Sequence, residues 1–235
     1  IIAMERTVVP ENFSFRMTDE EYRVLEKIKN SIPVCYLADH ADFALGIVTG
    51  NNKKFLSAEK TEHSEMVLKG TDICKYHINP VKQYLRFEPE QFQQVAPLEI
   101  YRAPEKLLYR FISNQLVVAY DDRQMLSLNS CNIVIPKIEG MQIKYILAIL
   151  NSSVSQFVYQ KEFHSIKVLR AHMEHIPIPR VGKAIQNEII AMTEPLICGM
   201  GKEAAETCQK RLDGRIMDLF RLSAEEQWII RHALH

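Results

Sequence analysis

The apolar residues change period near residue 140, and that change constrains the fold more than any other feature. From about Val34 to Lys137 the apolar runs are short and strand-like, clearest at Phe43–Val48, Leu107–Ile112, Leu116–Tyr120 and Cys131–Ile135. Polar turn residues separate them: Ser113-Asn114-Gln115 reads as a hairpin turn and Asp121-Asp122-Arg123 as a second reversal. The stretch Tyr76–Gln94, with Pro80 and Pro89, reads as a long excursion. From Ile143 onward, Ile146, Leu147, Leu150, Val154, Phe157 and Val158 repeat at three and four residues, the spacing of one helix face. This predicts one helix or a broken pair over 142–163, with Asn151-Ser152-Ser153 as the place for a break.

Helix signals flank this core pattern. Thr18-Asp-Glu-Glu21 is a capping box, in which the Thr18 hydroxyl and the Glu21 carboxylate each satisfy a free backbone N–H of the first turn. It predicts a helix over 18–31, ended by Pro33. His175-Ile-Pro-Ile-Pro179 is extended by the constraint each proline puts on its predecessor. A last helical region opens near Lys183, interrupted by Pro195, Gly199 and Gly201, and restarts at a second capping box, Ser223-Ala-Glu-Glu226. Helix, then strands, then helices is an α+β order. The expected organisation is an N-terminal linker and helix (1–33), a strand-rich domain (34–180) and a C-terminal helical segment packed on it (181–235).

Of the 235 residues, 47% are hydrophobic and 25% charged, ordinary for a globular domain. No apolar run approaches the roughly 18 residues that span a bilayer, so no membrane partner is expected. The five cysteines form no C-x-x-C pair, which argues against a zinc site or a disulfide framework and for reduced, cytoplasmic thiols. The start Ile1-Ile-Ala-Met-Glu-Arg6 lacks a signal-peptide pattern and reads as the interior of a longer protein.

No catalytic set stands out. His172 and His175, three apart with Glu174 between them, lack H-E-x-x-H spacing and read as surface histidines near a helix end. The acidic pairs Asp39/Asp42, Asp121/Asp122 and Glu225/Glu226 sit where turns and helix starts place carboxylates for structural reasons. Gly46-x-x-x-Gly50 lacks the Gly-Lys-Ser/Thr ending of a phosphate loop, and there is no G-x-S-x-G elbow.

The basic and amide residues of the strand-rich region carry the functional signal. Gly46-Ile-Val-Thr-Gly-Asn-Asn-Lys-Lys-Phe55 reads as strand, polar loop, strand, with the loop presenting Thr49, Asn51, Asn52, Lys53 and Lys54 together. Lys69, Lys75, Arg102, Lys106, Arg110 and Arg123 fall near other predicted turns or strand ends. Lysines position a protein on phosphates, whereas asparagine and arginine can pair bidentately with adenine and guanine edges. Net charge is zero, so any basic face must be balanced elsewhere.

An ordered set of segments sharpens this. The Gly46–Phe55 stretch is followed by Leu68-Lys-Gly-Thr-Asp-Ile-Cys-Lys-Tyr76, then Arg110-Phe-Ile-Ser-Asn-Gln-Leu-Val-Val-Ala-Tyr-Asp121 and Ser127-Leu-Asn-Ser-Cys-Asn-Ile-Val-Ile-Pro136. Tyr145-Ile-Leu-Ala-Ile-Leu-Asn-Ser152, His175–Pro179 and the tail from Leu212 to Glu226 complete it. From about Phe43 to the C-terminus this order resembles the TaqI-like C-terminal specificity domain of N6-adenine DNA methyltransferases from bacterial restriction–modification systems. The resemblance implies target recognition on double-stranded DNA, with no cofactor in this chain. S-adenosylmethionine and the N-P-P-aromatic catalytic motif would belong to an upstream methyltransferase domain, the expected partner. Asn79-Pro80-Val81 lacks that motif's second proline and its aromatic residue. The eleven residues from Thr49 to Arg123 named above become candidates for DNA contact, with Asn51, Asn52 and Arg110 the candidates for base edges. The other reading is a non-catalytic protein-interaction module, such as a type I-like specificity subunit.

Overall fold

A computed structural model describes residues 17–163 and 165–234; the readings on 1–16, His164 and His235 lie outside them. In chain order the elements are α1 (Asp19–Asn30), β1 (Val34–Cys35), β2 (Ala41–Ala44), α2 (Asn52–Phe55), β3 (Leu56–Ser57), β4 (Ser64–Leu68), β5 (Tyr84–Arg86), α3 (Leu98–Tyr101) and β6 (Lys106–Arg110). There follow β7 (Val118–Asp121), β8 (Leu126–Ser127), β9 (Cys131–Pro136), α4 (Ile143–Asn151), α5 (Ser153–Glu162), α6 (Arg170–Glu174), β10 (Ile178–Pro179), α7 (Lys183–Ile197), α8 (Lys202–Leu219) and α9 (Ala224–Ala233). The fold is α+β, as the sequence order implies.

A four-stranded antiparallel sheet, β2-β9-β6-β7, divides the molecule into two lobes. Successive strand residues point to opposite faces. Leu107, Tyr109, Val118, Tyr120 and Val134 therefore join the helical core, and Leu108, Ala119, Cys131 and Ile133 join a second core. The first core holds α1, α4, α5 and the C-terminal helices. The second lies under a smaller sheet, β3-β5-β4-β8. Both capping boxes form, at Thr18 and at Ser223. Ser152 ends α4 and caps α5 by accepting the Ser155 N–H, so the expected break falls in the expected place.

Helical side chains close the outer edge of the sheet. Asn151 accepts the Val118 N–H and donates to the Val118 carbonyl (3.0 and 2.8 Å), while Gln156 accepts the Leu116 N–H. These amides, together with the Tyr76 N–H on the Val118 carbonyl, satisfy strand groups along that edge.

Several expectations are corrected. Phe43–Val48 is not one strand. The strand β2 ends at Ala44, and beyond Gly46 the chain pairs Ile47 with Leu128 and Val48 with Gln94 in the other lobe. The next residues form the helical turn α2, not a loop between strands, because Asn51 caps it by accepting the Lys54 N–H. The Tyr76–Gln94 excursion contains β5, the strand that joins β3 to β4; at three residues between prolines it is too short to show a period. Pro195 does not stop α7. It sits in the last turn, and the break comes at Gly199, in the left-handed region at φ +78°. Helices α7 and α8 pack together, tied by Arg215 to Glu188 at 2.6 Å.

Lys106, expected at a strand end in solvent, is fully buried. Its ammonium meets Asp121, also fully buried, at 2.5 Å and donates to the Tyr101 carbonyl at 2.7 Å. Asp121 in turn accepts the N–H groups of Arg123 and Met125. Burial lowers the Lys106 pKa, and the Asp121 carboxylate works against that fall. Removing one partner of such a pair strands the other charge. Lys106→Met should cost about 3–5 kcal/mol of stability, read as a lower urea midpoint at unchanged slope. Lys106→Met with Asp121→Asn should recover most of it; an unchanged midpoint in the single variant would refute this role. At Gly46 a Cβ would lie 2.1 Å from the Leu128 carbonyl oxygen and 2.7 Å from that of Cys131. Gly46→Ala should therefore destabilise the chain by about 1–3 kcal/mol, the usual cost of overpacking, with hydrogen exchange rising first around Ile47 and Leu128.

Candidate nucleic-acid interface

The Gly46–Phe55 segment is wedged between two others. On one side Val48 exchanges backbone hydrogen bonds with Gln94 (2.9 and 3.0 Å), and on the other Ile47 pairs with Leu128. Phe55 anchors the segment, edge-on to Phe92 at 5.1 Å. The packing gathers exposed amides onto one edge of the small lobe: Asn51 and Asn52, Gln91, Gln93 and Gln94, and Asn129, whose N–H reaches the Ile47 carbonyl. Lys53 and Lys54 stand exposed among them.

The edge is partly organised. Thr49 is buried and donates to Asn52 Oδ1 at 2.6 Å. Lys54 donates to Gln91 Oε1 at 2.7 Å and lies over the Phe55 ring at 4.7 Å. Glu88, close by, is balanced by Arg86 at 2.6 Å. Asparagine and glutamine offer a donor and an acceptor in one plane, the pattern that an adenine presents in the major groove. Lysines beside them suit phosphate oxygens.

The other sequence candidates are not all brought here. Arg123 is exposed beyond β7, and Lys69, half-buried, precedes a 3₁₀ turn at Gly70–Asp72. Arg102 is committed to both Glu65 oxygens and to the Gln124 carbonyl. Arg110, expected to face base edges, donates instead to the carbonyls of Gly70 and Ile73 at 2.8 and 2.7 Å and holds that turn against β6. Lys75 is partly buried, and its ammonium donates to the Asn151 carbonyl at 3.0 Å. Lys106 and Thr49 are buried, so neither is presented to a ligand at the surface. Gln91, Gln93 and Gln94 were missed because no local pattern marks them. Long-range contacts bring them to the asparagines: the pairing of Val48 with Gln94, Phe55 on Phe92 and Lys54 on Gln91.

The histidine pair belongs elsewhere and is not simply superficial. His172 stacks on Phe163 at 4.5 Å, accepts the Leu169 N–H through Nδ1, and has its pKa lowered by burial. Among the described residues no three His, Cys, Asp or Glu side chains are grouped to hold a metal ion, and no helix is long and apolar enough to cross a membrane.

The chain has the fold of the type IIL restriction–modification enzyme MmeI, solved in complex with DNA: TM-score 0.56, 11% identity, over 81% of this chain and 34% of that one. Looser likenesses link it to a chain of a type I restriction–modification complex (TM-score 0.49, 13% identity, 92% of this chain, 51% of that one). The HsdS subunit from Thermoanaerobacter tengcongensis is similar at TM-score 0.45, 13% identity, 92% of this chain and 50% of that one. The chain thus spans about half the length of the two type I chains and about a third of MmeI. The search of curated proteins gives no match. The family model of the TaqI-like C-terminal specificity domain matches residues 65–178, which run from β4 through the central sheet to β10. By that match, residues 65–178 form a TaqI-like C-terminal specificity domain.

Proposed function

We propose that the chain is the DNA target-recognition domain of an adenine-N6 DNA methyltransferase of the type II or type IIG-like restriction–modification class. The observation that carries this reading is the amide-rich edge of the small lobe, set beside two exposed lysines in a chain of the specificity family. The edge would enter the major groove. Asn51, Asn52, Gln91, Gln93 and Gln94 would read base edges, while Lys53, Lys54 and Arg123 would contact phosphates. Methyl transfer from S-adenosylmethionine would belong to the partner methyltransferase domain, which also takes up the flipped adenine. The chain's own part is to choose the site.

In the protein carrying its methyltransferase domain, Lys53→Ala and Lys54→Ala should each make the plot of log affinity against log salt shallower by about one unit. Gln93→Ala should leave that slope alone and relax discrimination at one base pair, by about 1–3 kcal/mol if its amide pairs bidentately. Unchanged slopes together with unchanged sequence preference would remove this edge from the DNA interface.

A further inference from the structure

The loop Cys74–His77 crosses from the small lobe to the helical one and meets the connection between α7 and α8. Between them lies a cavity of about 350 Å3 lined by Lys75, Tyr76, Leu196, Met200, Ala205 and Gln209, with His77, Lys210 and the Glu206 carboxylate also on its wall. Its surface is mostly apolar, yet its polar atoms are unusual. Tyr76 is 2% exposed, and its hydroxyl has no hydrogen-bond partner among the described residues. The buried Nε2 of Gln209, on the facing turn of α8, also lacks a partner within normal hydrogen-bond geometry among the described residues, although it lies near enough to the Tyr76 hydroxyl to oppose the rise of its pKa. Buried polar groups are almost always paired, so two orphans at one cavity are informative.

Lys75 adds a positive charge. Its one hydrogen bond is to the Asn151 carbonyl, which leaves further N–H groups, and among the described residues no carboxylate lies within ion-pair distance of it. The nearest influence is Asp213, already engaged by the N–H and hydroxyl of Ser153. Burial lowers the Lys75 pKa and Asp213 only partly opposes that. The backbone is strained at the same point. Tyr76 has φ +75°, rare for a bulky residue, while its N–H and carbonyl are held by Val118 and Tyr120 of β7. The surroundings thus fix the phenol where relaxed backbone would not place it.

We propose that this cavity binds a small organic monocarboxylate with an apolar body. The carboxylate accepts hydrogen bonds from Lys75 Nζ and Gln209 Nε2, with the Tyr76 hydroxyl as a third donor, and the hydrocarbon lies against Leu196, Met200 and Ala205. Donors without acceptors call for an acceptor, an unpaired ammonium calls for an anion, and apolar walls exclude a bare inorganic ion. The site lies in the helical lobe and goes beyond the DNA reading, which stands or falls separately.

Titration calorimetry of the full chain with isocaproate, hexanoate and benzoate, with hexanol as the uncharged control, tests this. The carboxylates should bind saturably at one site and hexanol should not. Lys75→Met, which keeps the apolar stem, should weaken carboxylate binding by about tenfold or more, since a charge-assisted hydrogen bond is lost. Lys75 faces His77, Glu206 and Lys210 of the same cavity and feels Asp213; binding favours its ammonium, so affinity should fall as pH rises through the lowered Lys75 pKa. Ala205→Phe fills the cavity without removing a donor and should abolish binding. Should Lys75→Met fail to fold, Ala205→Phe and methyl shifts of Leu196 and Met200 in the unaltered chain decide the matter. Absence of saturable carboxylate binding, equal binding of hexanol, or carboxylate binding that survives Ala205→Phe would overturn the proposal.

Discussion

The structure depends on one sheet buried on both faces. In β6, β7 and β9 the alternation that sends Leu107, Tyr109, Val118 and Val134 to the helices sends Leu108, Ala119 and Ile133 to the small lobe. A slip of one residue would exchange the two sets, so register is held from both sides. The outer edge is closed as well, since Asn151 and Gln156 satisfy strand groups of and beside β7. Such a sheet has no face left for a ligand. Contact with anything as large as a duplex must come from what the sheet carries, and the edge of the small lobe is the part that gathers exposed amides.

Burial of charge explains why basic residues in the sequence are poor guides to the surface. Lys106 begins β6 directly before Leu107 and Leu108, and its position looks like a solvated strand end. Its neighbours across the sheet decide otherwise. Asp121 faces it in β7 and is itself fixed by two backbone N–H groups. A buried pair of this kind adds little net stability but leaves a stranded charge in any alternative pairing, and so selects one register. Arg110 and Arg102 are spent similarly, on carbonyls and on Glu65.

Most local signals are legible in the sequence, although the Asn51 cap of α2 reads there as part of a polar loop. The boundaries at Thr18, Ser152 and Ser223 follow from side chains that satisfy backbone groups within three residues, and the sequence displays such signals whole. What depends on distant partners could not be read. Phe43–Val48 looks like one strand because its apolar residues are continuous, yet β2 ends at Ala44 and Ile47 and Val48 find partners at Leu128 and Gln94, far away in sequence. β5 is too short for a period, and Pro195 falls so late in α7 that its missing N–H disturbs only the last turn. The candidate site shows the same division. Asn51 to Lys54 are contiguous and visible in the sequence; Gln91 to Gln94 join them through long-range contacts, among them the pairing of Val48 with Gln94.

The distribution of cations bears on how such a domain would work. Lys75, Lys106, Arg102 and Arg110 are held by carbonyls or carboxylates, which leaves Lys53, Lys54 and Arg123 exposed and Lys69 half-buried among the sequence candidates. Each phosphate contact contributes about one counterion to the salt dependence of binding, so few exposed cations mean a shallow slope and weak affinity for the chain alone. Amides add discrimination between base pairs without adding non-specific attraction. In a specificity domain these are complementary properties. A module that holds any duplex weakly and one sequence better can let a more basic partner supply affinity, without trapping the complex at every site it passes.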